Sequence, residues 1–182
     1  MRNLFIINGM PMSGKSTFAE MCCDFVGPYG LNLSTVDLVK DLAKRAGWNG
    51  QKTPIERAKL AAFKDCLTQW WDTPFQHVMS QIRCFEYDVR SYGVETPPLI
   101  FIHCREPKEI QRFVDEQNAR TILVRRPVVE IVPQSNTADT QVFEYKDYDF
   151  TIYNTGSLQE LQAQAEDFCT KLGYKHCKFF IN

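Results

Sequence analysis

Gly9-Met10-Pro11-Met12-Ser13-Gly14-Lys15-Ser16 decides the fold of this chain, because it matches the pattern G-x-x-x-x-G-K-[ST] in the setting that pattern requires. The apolar run at residues 4–7 before it is typical of a strand buried on both faces. After it, apolar residues recur at three- and four-residue spacings over residues 17–26, which predicts a helix. The segment therefore reads as strand, glycine-bounded loop and helix.

This loop has the chemistry of a phosphate cradle. Gly9 and Gly14 can adopt backbone angles closed to other residues, so the loop can turn its amide hydrogens inward, and the helix start adds a partial positive charge. We expect Lys15 to reach the β- and γ-phosphates and Ser16 to hold Mg²⁺. The residues expected to bind ATP here are Gly9, Met10, Pro11, Met12, Ser13, Gly14, Lys15, Ser16 and Thr17.

Composition limits the other possibilities. A length of 182 residues predicts one domain, 1–182, and the net charge of −1 gives no electrostatic reason to expect nucleic acid or a membrane surface as a partner. The apolar run near the start is shorter than the ~7–15 residues of a signal-peptide core, so we expect a cytoplasmic protein. The seven cysteines form no C-x-x-C pair and are predicted to be buried, reduced thiols.

Helical and extended patterns alternate along the chain, which predicts an α/β fold in three layers with about five parallel strands and helices on both faces. We expect a helical insertion over about 48–90, a short lid over about 127–147, and an extra strand at 178–181. The predicted strands are 4–7, 31–34, 99–103, 121–124 and 150–153. The predicted helices are 17–26, 35–46, 54–71, 74–87, 107–116 and a last one that Ser157 caps and that ends at 172.

The order of motifs resembles the nucleoside monophosphate kinase group of P-loop kinases. It is most similar to the branch holding the phage-type deoxynucleoside monophosphate kinases and the animal-type phosphomevalonate kinases. Besides the loop, the resemblance depends on residues 34–40, 103–106 and 149–157. It implies transfer of the ATP γ-phosphoryl group to a small phosphorylated acceptor, with Mg²⁺, and a mobile lid. It also implies that Asn154 and Gly156 lie beside the adenine.

Polar residues that follow predicted strands support the same chemistry. Ligands bind at the carboxyl ends of strands in open parallel sheets, and phosphoryl transfer requires positive groups that hold donor and acceptor in line. We therefore expect Ser34, Lys40 and Arg105 to bind the acceptor, and Arg126 to bind ATP. The expected catalytic residues are Lys15, Asp37, Arg105 and Arg125.

Several of these residues have a second interpretation. Asp37 could hold Mg²⁺ through water or orient the acceptor, or it could be an acid favoured by the dipole at a helix start. Lys40 could instead form a solvated face with Lys44. One of Arg125 and Arg126 could clamp phosphate or stack on adenine while the other pairs with a surface acid.

Two features depart from related enzymes. The third strand ends in His103-Cys104, where many such enzymes have a carboxylate for magnesium, so Glu106 or Asp37 would have to replace it; His103 could contact substrate or be a buried, hydrogen-bonded residue. The predicted lid contains no arginine, and its only lysine is Lys146. Either Arg125 and Arg126, at the base of the lid, supply the positive charge for the transferring phosphate, or the lid serves only to exclude water. Residues 135–139 match a polar patch of this branch, and we assign it no chemistry.

The insertion is rich in large apolar side chains. Their helical spacing predicts core positions, although one aromatic ring could stack on an acceptor base. These residues are Phe63, Leu67, Trp70, Trp71, Phe75 and Phe85.

The leading hypothesis is a kinase, monomeric or homodimeric, that acts on a nucleoside or deoxynucleoside monophosphate. A phosphomevalonate-like or other phosphometabolite kinase is its nearest rival. A nucleotide-binding switch or NTPase without an acceptor forms a second class, and a partner-binding protein with a relict loop forms a third. The intact Lys15-Ser16 pair argues against the third class.

Overall fold

A computed structural model describes residues 2–51, 53–93, 95–130 and 141–177 of the protein. Its single sheet contains β1 (Asn3–Asn8), β2 (Gly30–Ser34), β3 (Leu99–His103), β4 (Arg120–Arg125) and β5 (Phe150–Tyr153). All the pairings are parallel, and the strand order is β2-β3-β1-β4-β5. The predicted fold class, a five-stranded parallel α/β sheet with helices on both faces, is confirmed.

Helices connect the strands as the alternating pattern predicts. The first begins at Lys15, two residues earlier than expected, because Gly14 ends the loop in a left-handed conformation with φ 93°. The fourth extends to Ser91, past the expected end at residue 87. The helices are α1 (Lys15–Val26), α2 (Asp37–Arg45), α3 (Pro54–Trp71), α4 (Thr73–Ser91), α5 (Pro107–Gln117), α6 (Pro127–Glu130) and α7 (Leu158–Lys171), with 3-10 turns at Gly27–Tyr29 and Gln141–Phe143.

Apolar side chains fill both faces of the sheet, since neighbouring residues of a strand point to opposite faces. On one face, Phe5 and Phe101 pack with Phe168 of α7 and with α1. On the other face, Ile100 and Ile102 pack with residues of α4 and α5. The sheet is therefore covered on both sides, as its continuous apolar strands require.

Two helix starts follow directly from the sequence. Thr53 accepts a hydrogen bond from the Glu56 amide at 3.3 Å, with Pro54 as the first helical residue of α3. Ser157 and Glu160 form a reciprocal capping box at the start of α7. These caps fix where the insertion begins and where the chain leaves β5.

Some side chains of the insertion are not buried as expected. Trp70 and Trp71 are 65% and 68% exposed, so the prediction that they belong to the core is wrong. They occupy the last turn of α3, where the chain reverses at Asp72, and such reversals lie at the surface. The prediction of buried thiols is likewise wrong for Cys66 and Cys84, which are exposed, whereas Cys22, Cys104 and Cys169 are buried.

The central part of the predicted lid, residues 131–140 with the polar patch at 135–139, lies outside the described residues, as does the predicted strand at 178–181. Within the described part of the chain, no helix combines the length and apolarity needed to cross a bilayer.

Candidate functional site

The loop between β1 and α1 depends on its two glycines. Gly9 has φ 155°, and a Cβ there would lie 2.5 Å from the backbone oxygen of Val124 on the neighbouring strand. Gly14 has φ 93°, and a Cβ there would collide with the side-chain amide of Asn154. Met12 is also left-handed, at φ 62°. The loop therefore has no room for a side chain at either glycine, and the two glycines let its backbone pack closely against β4 and Asn154.

Asn154, which follows β5, packs against the loop and forms a hydrogen bond with its backbone. Its side-chain amide is buried and donates to the backbone oxygen of Ser13 at 2.9 Å, while its own backbone amide bonds to Arg125 at 2.8 Å. The sequence suggested contact with adenine, and no feature of the sequence links Asn154 to a loop about 140 positions away. Gly156 lies in the turn before α7, beside the Glu160 carboxylate of the capping box.

The inner side of the loop fits a polyphosphate. Lys15 begins α1 and its Nζ lies 3.2 Å from the Met10 oxygen, so the ammonium group folds back over the loop. Ser16 is exposed in the first turn of α1, and Thr17 follows it. The buried Ser13 hydroxyl has no hydrogen-bond partner among the described residues. Together with the positive end of the α1 dipole, these groups match the needs of a bound anion.

The acceptor residues predicted after β2 lie at the same edge of the sheet. Ser34 is the last residue of β2, and its hydroxyl accepts from the Val36 amide at 3.5 Å. Asp37 begins α2, and its carboxylate lies 3.3 Å from Lys40 Nζ in a partly exposed pair. Arg105 is partly buried and lies two residues beyond β3. Asp37 thus occupies the helix-start position that the dipole favours.

His103 ends β3 in the middle of these cations. Its Nε2 lies 2.9 Å from Asn32 Oδ1 of β2. Burial lowers the pKa of its imidazole to about 4, helped by the nearby charges of Lys15, Lys40 and Arg105. The ring is therefore neutral at physiological pH, and three positive groups lie within electrostatic reach of it.

Beside this edge, a buried cluster of charged side chains links α3 to the chain after β3. Lys64 is only 7% exposed, and its Nζ lies 2.9 Å from Glu106 and 2.7 Å from Glu109. Burial alone would lower the pKa of Lys64, but the attraction of Glu109 and Glu106 outweighs it and raises that pKa. We did not predict Lys64 or Glu109 from the sequence. Lys64 lies between Leu60 and Leu67 on the apolar stripe of α3, however, and a lysine in such a stripe indicates a buried charge that needs a partner.

The same cluster limits where a metal ion could bind. Cys104, Glu106 and Glu109 lie within 4.8 Å of one another. The Lys64 ammonium lies against both carboxylates and compensates one of their two charges, and burial raises the pKa of the Cys104 thiol well above its usual range. This group is therefore an ion-paired anchor, and Cys104 is not a reactive thiolate. For Mg²⁺, Ser16 offers a hydroxyl at the loop, and Asp37 is the carboxylate of the predicted metal pair.

The two arginines at the end of β4 have different partners. Arg125 forms a two-point contact with Glu130 of α6, with Nη2–Oε2 at 2.6 Å and Nε–Oε1 at 3.2 Å. Arg126 is half-buried, and its Nη1 lies 3.4 Å from the Met12 oxygen of the phosphate loop. One arginine thus pairs with an acid, as one interpretation of the sequence allowed, and the other reaches the loop.

A cavity of about 400 Å³ lies between α2 and α3. Its walls include Ala43, Trp48, Leu60 and Phe63. The Trp48 indole nitrogen is buried and lacks a hydrogen-bond partner among the described residues. The cavity begins about 5 Å along α2 from Lys40, given the helical rise of 1.5 Å per residue.

No family model matches this chain, and no curated protein matches it in sequence. In structure it is similar to a sugar kinase from Janibacter sp. HTCC2649, with 14% identity, a TM-score of 0.45 and coverage of 93% of this chain and 95% of that one. A shikimate kinase from Acinetobacter baumannii has 13% identity and a TM-score of 0.43, covering 94% and 90%. The APS kinase CysC from Mycobacterium tuberculosis has 12% identity and a TM-score of 0.41, covering 94% and 98%. At such identities, the evidence for function comes from this chain's own residues.

Proposed function

We propose that this protein is an ATP-dependent kinase that transfers the γ-phosphoryl group to a phosphorylated small molecule, with a nucleoside or deoxynucleoside monophosphate as the leading acceptor. The observation that carries the proposal is the loop of residues 9–16. Its glycines take backbone angles that other residues avoid, its lysine folds over the backbone, and it leads directly into the start of α1. Such a loop is built to bind the phosphates of a nucleotide.

The donor would be held by residues 9–17. Arg126 reaches the Met12 oxygen of this loop, and Asn154 fixes the loop from below. Ser16 and Asp37 are the residues that would hold Mg²⁺. When bound, Mg²⁺ would neutralise charge on the polyphosphate and help to orient it.

The acceptor would lie against Ser34, Lys40 and Arg105. A phosphorylated acceptor adds negative charge beside the ATP tail, and Lys40 and Arg105 supply compensating charge at that edge. The aromatic cavity between α2 and α3 supports a base-bearing acceptor over a small acid, because Trp48 and Phe63 provide flat apolar surface.

Phosphoryl transfer demands little covalent chemistry from these side chains. Their task is to hold donor and acceptor in line and to compensate charge on the transferring group. Lys15, at the start of α1, and Arg105, in the chain after β3, would perform this task. Arg125 would join them only by leaving Glu130, its present partner.

An NTPase or nucleotide-dependent switch is the second candidate, and one observation favours it. The carboxylates that follow β3, Glu106 and Glu109, both contact Lys64 rather than facing the loop alone as free acids. The strand itself ends in a neutral histidine. Without an acid there to help hold Mg²⁺, turnover could be slow and binding could be the main activity. A phosphometabolite kinase remains the nearest enzymatic alternative.

An ADP-release assay with matched variants distinguishes these functions. The purified chain is incubated with ATP, Mg²⁺ and, in turn, a panel of nucleoside monophosphates and phosphorylated metabolites. Lys15→Ala should reduce ADP release at least about 100-fold, because it removes the charge at the transferring group. Lys171→Ala is the control, since Lys171 is an exposed lysine that pairs with Asp167 on α7.

Arg105→Ala tests the acceptor site separately. It should weaken acceptor-stimulated ADP release while ATP binding stays within about twofold, because its proposed contact is with the acceptor. Release that no acceptor stimulates would support the NTPase, and binding without release would support the switch. A full rate in Lys15→Ala would refute the assignment of this loop.

A further inference from the structure

His103 lies at the end of β3, beside the strand that leads into the phosphate loop. It pairs in register with Ile7 of β1 and Ser34 of β2. Leu99 and Phe101, at alternate positions of β3, pack on the face covered by α1 and α7, so His103 faces the α1 side. It therefore lies at the carboxyl edge of the sheet, between the strand that leads into the loop and the strand that leads into α2.

The surroundings of His103 attract phosphate. Lys15 comes from the start of α1, Lys40 from the first turn of α2 and Arg105 from the chain after β3. Of the acids on these elements and on α5, Asp37 contacts Lys40, while Glu106 and Glu109 both contact Lys64. On the β2 side, His103 meets the neutral side chains of Asn32 and Ser34. The charges that act most on the imidazole are those of Lys15, Lys40 and Arg105.

The hydrogen bond to Asn32 selects the tautomer of the free protein. Because Asn32 presents its carbonyl oxygen at 2.9 Å, Nε2 carries the hydrogen and donates it. Nδ1 is then the nitrogen that can gain a proton. Burial first, and then the three cations, keep that nitrogen unprotonated in the empty site.

We infer that His103 contacts a phosphate group of the bound substrates and takes up one proton from solvent when that group binds between Lys15, Lys40 and Arg105. The inference rests on the proposed function. A bound phosphate offsets the repulsion from these cations, and its oxygen accepts a hydrogen bond from the new Nδ1–H. The charge of His103 would thus depend on whether a phosphate is bound. His103 is neutral in the free protein and becomes a fourth cation beside the transferring group when the phosphate binds.

Imidazole NMR tests this directly, because the chain contains only three histidines. In the full chain, the titration midpoint of His103 should rise by roughly 1 to 3 pH units when a non-hydrolysable ATP analogue binds with Mg²⁺. His77 and His176 lie on α4 and near the end of the described chain, and they serve as internal references. Inorganic tripolyphosphate and a nucleoside monophosphate, each added alone, show whether the donor or the acceptor phosphate is responsible.

Calorimetry gives an independent measurement. Binding heats for the ATP analogue and for the monophosphate at pH 6, in two buffers of different ionisation enthalpy, should reveal up to one proton taken up per complex by whichever ligand moves the NMR midpoint. His103→Gln should abolish this uptake, and His77→Gln should retain it. If His103→Gln does not fold, the titration of the unmodified chain decides alone.

The outcomes separate the two proposals. If the analogue perturbs the Gly14 amide but neither it nor the monophosphate moves the His103 midpoint, the inference is wrong and the nucleotide site stands. If no nucleotide or polyphosphate binds, both the proposed function and the inference are wrong.

Discussion

At the scale of single residues, Gly14 combines two constraints that can be measured apart. Its φ of 93° disfavours any side chain, and a Cβ would strike the Asn154 amide, which is held by its bond to Ser13. Gly173 has a similar φ of 89° but has open space around the Cβ position. The pair therefore isolates the steric contribution from the backbone strain.

We expect Gly173→Ala to lower the free energy of unfolding by about 1 kcal/mol, from left-handed strain alone. Gly14→Ala should lower it by about 3 kcal/mol, because displacing Asn154 also leaves the buried Ser13 carbonyl unpaired. Urea unfolding of both variants measures the difference. Only Gly14→Ala should also weaken binding of an ATP analogue, and equal losses in stability would contradict the role of Asn154.

At the scale of elements, the junction of α3 and α4 is fixed to α5 by one ion pair. Asp72 is left-handed, with φ 53°, and its two oxygens accept from Arg112 at 2.6 and 2.8 Å. The hydrogen bonds from Arg112 lower the pKa of the Asp72 carboxyl below its usual value. An aspartate with a lowered pKa stabilises the fold above its unfolded-state pKa, and this contribution is lost as the pH falls through the folded-state pKa.

Asp72→Asn should therefore cost about 1 kcal/mol at pH 7, because asparagine tolerates the left-handed backbone but loses the charge and one acceptor. The difference in unfolding free energy between the two proteins should shrink as the pH falls below about 4. Urea unfolding of both proteins at pH 7, 5, 4 and 3 measures this difference. A difference that is the same at every pH would mean that the charge of Asp72 contributes nothing.

Elements were easier to predict than their contacts, for physical reasons. The positions of the strands, the caps and the loop follow from local patterns, as Thr53 and Ser157 show. The partner of Asn154 and the burial of Lys64 depend on residues far apart in the chain, which periodicity does not report. Trp70 and Trp71 show the opposite error, since their apolar character suggested burial but their place at the end of α3 leaves them exposed.

At the scale of the whole molecule, α3 of the insertion is joined to α5 and to Thr35 through Lys64, whereas α4 packs directly on the sheet. The Lys64 ammonium group lies between Glu106 and Glu109, and Thr35 Oγ1 is 3.5 Å away. Removing one member of a buried ion pair leaves an uncompensated charge and costs about 3–5 kcal/mol. Because Glu109 belongs to α5 and Lys64 to α3, this loss of free energy should weaken the docking of the insertion on α5 more than it destabilises the sheet.

The three tryptophans make this separation observable, since Trp48, Trp70 and Trp71 all lie within the insertion. In the unmodified protein, urea transitions followed by tryptophan fluorescence and by far-ultraviolet circular dichroism should coincide. In Lys64→Met, the fluorescence transition should move to lower urea than the dichroism transition, because the insertion undocks first. Lys59→Met on the same helix is the matched control, as its exposed pair with Glu56 is worth at most about 0.5 kcal/mol.

If both probes of Lys64→Met move together, the insertion and the sheet unfold as one unit, and the cluster stabilises the whole fold rather than the docking of the insertion alone. Adding Glu109→Gln to Lys64→Met should bring the two transitions closer again, since the more buried of the two stranded carboxylates is then gone.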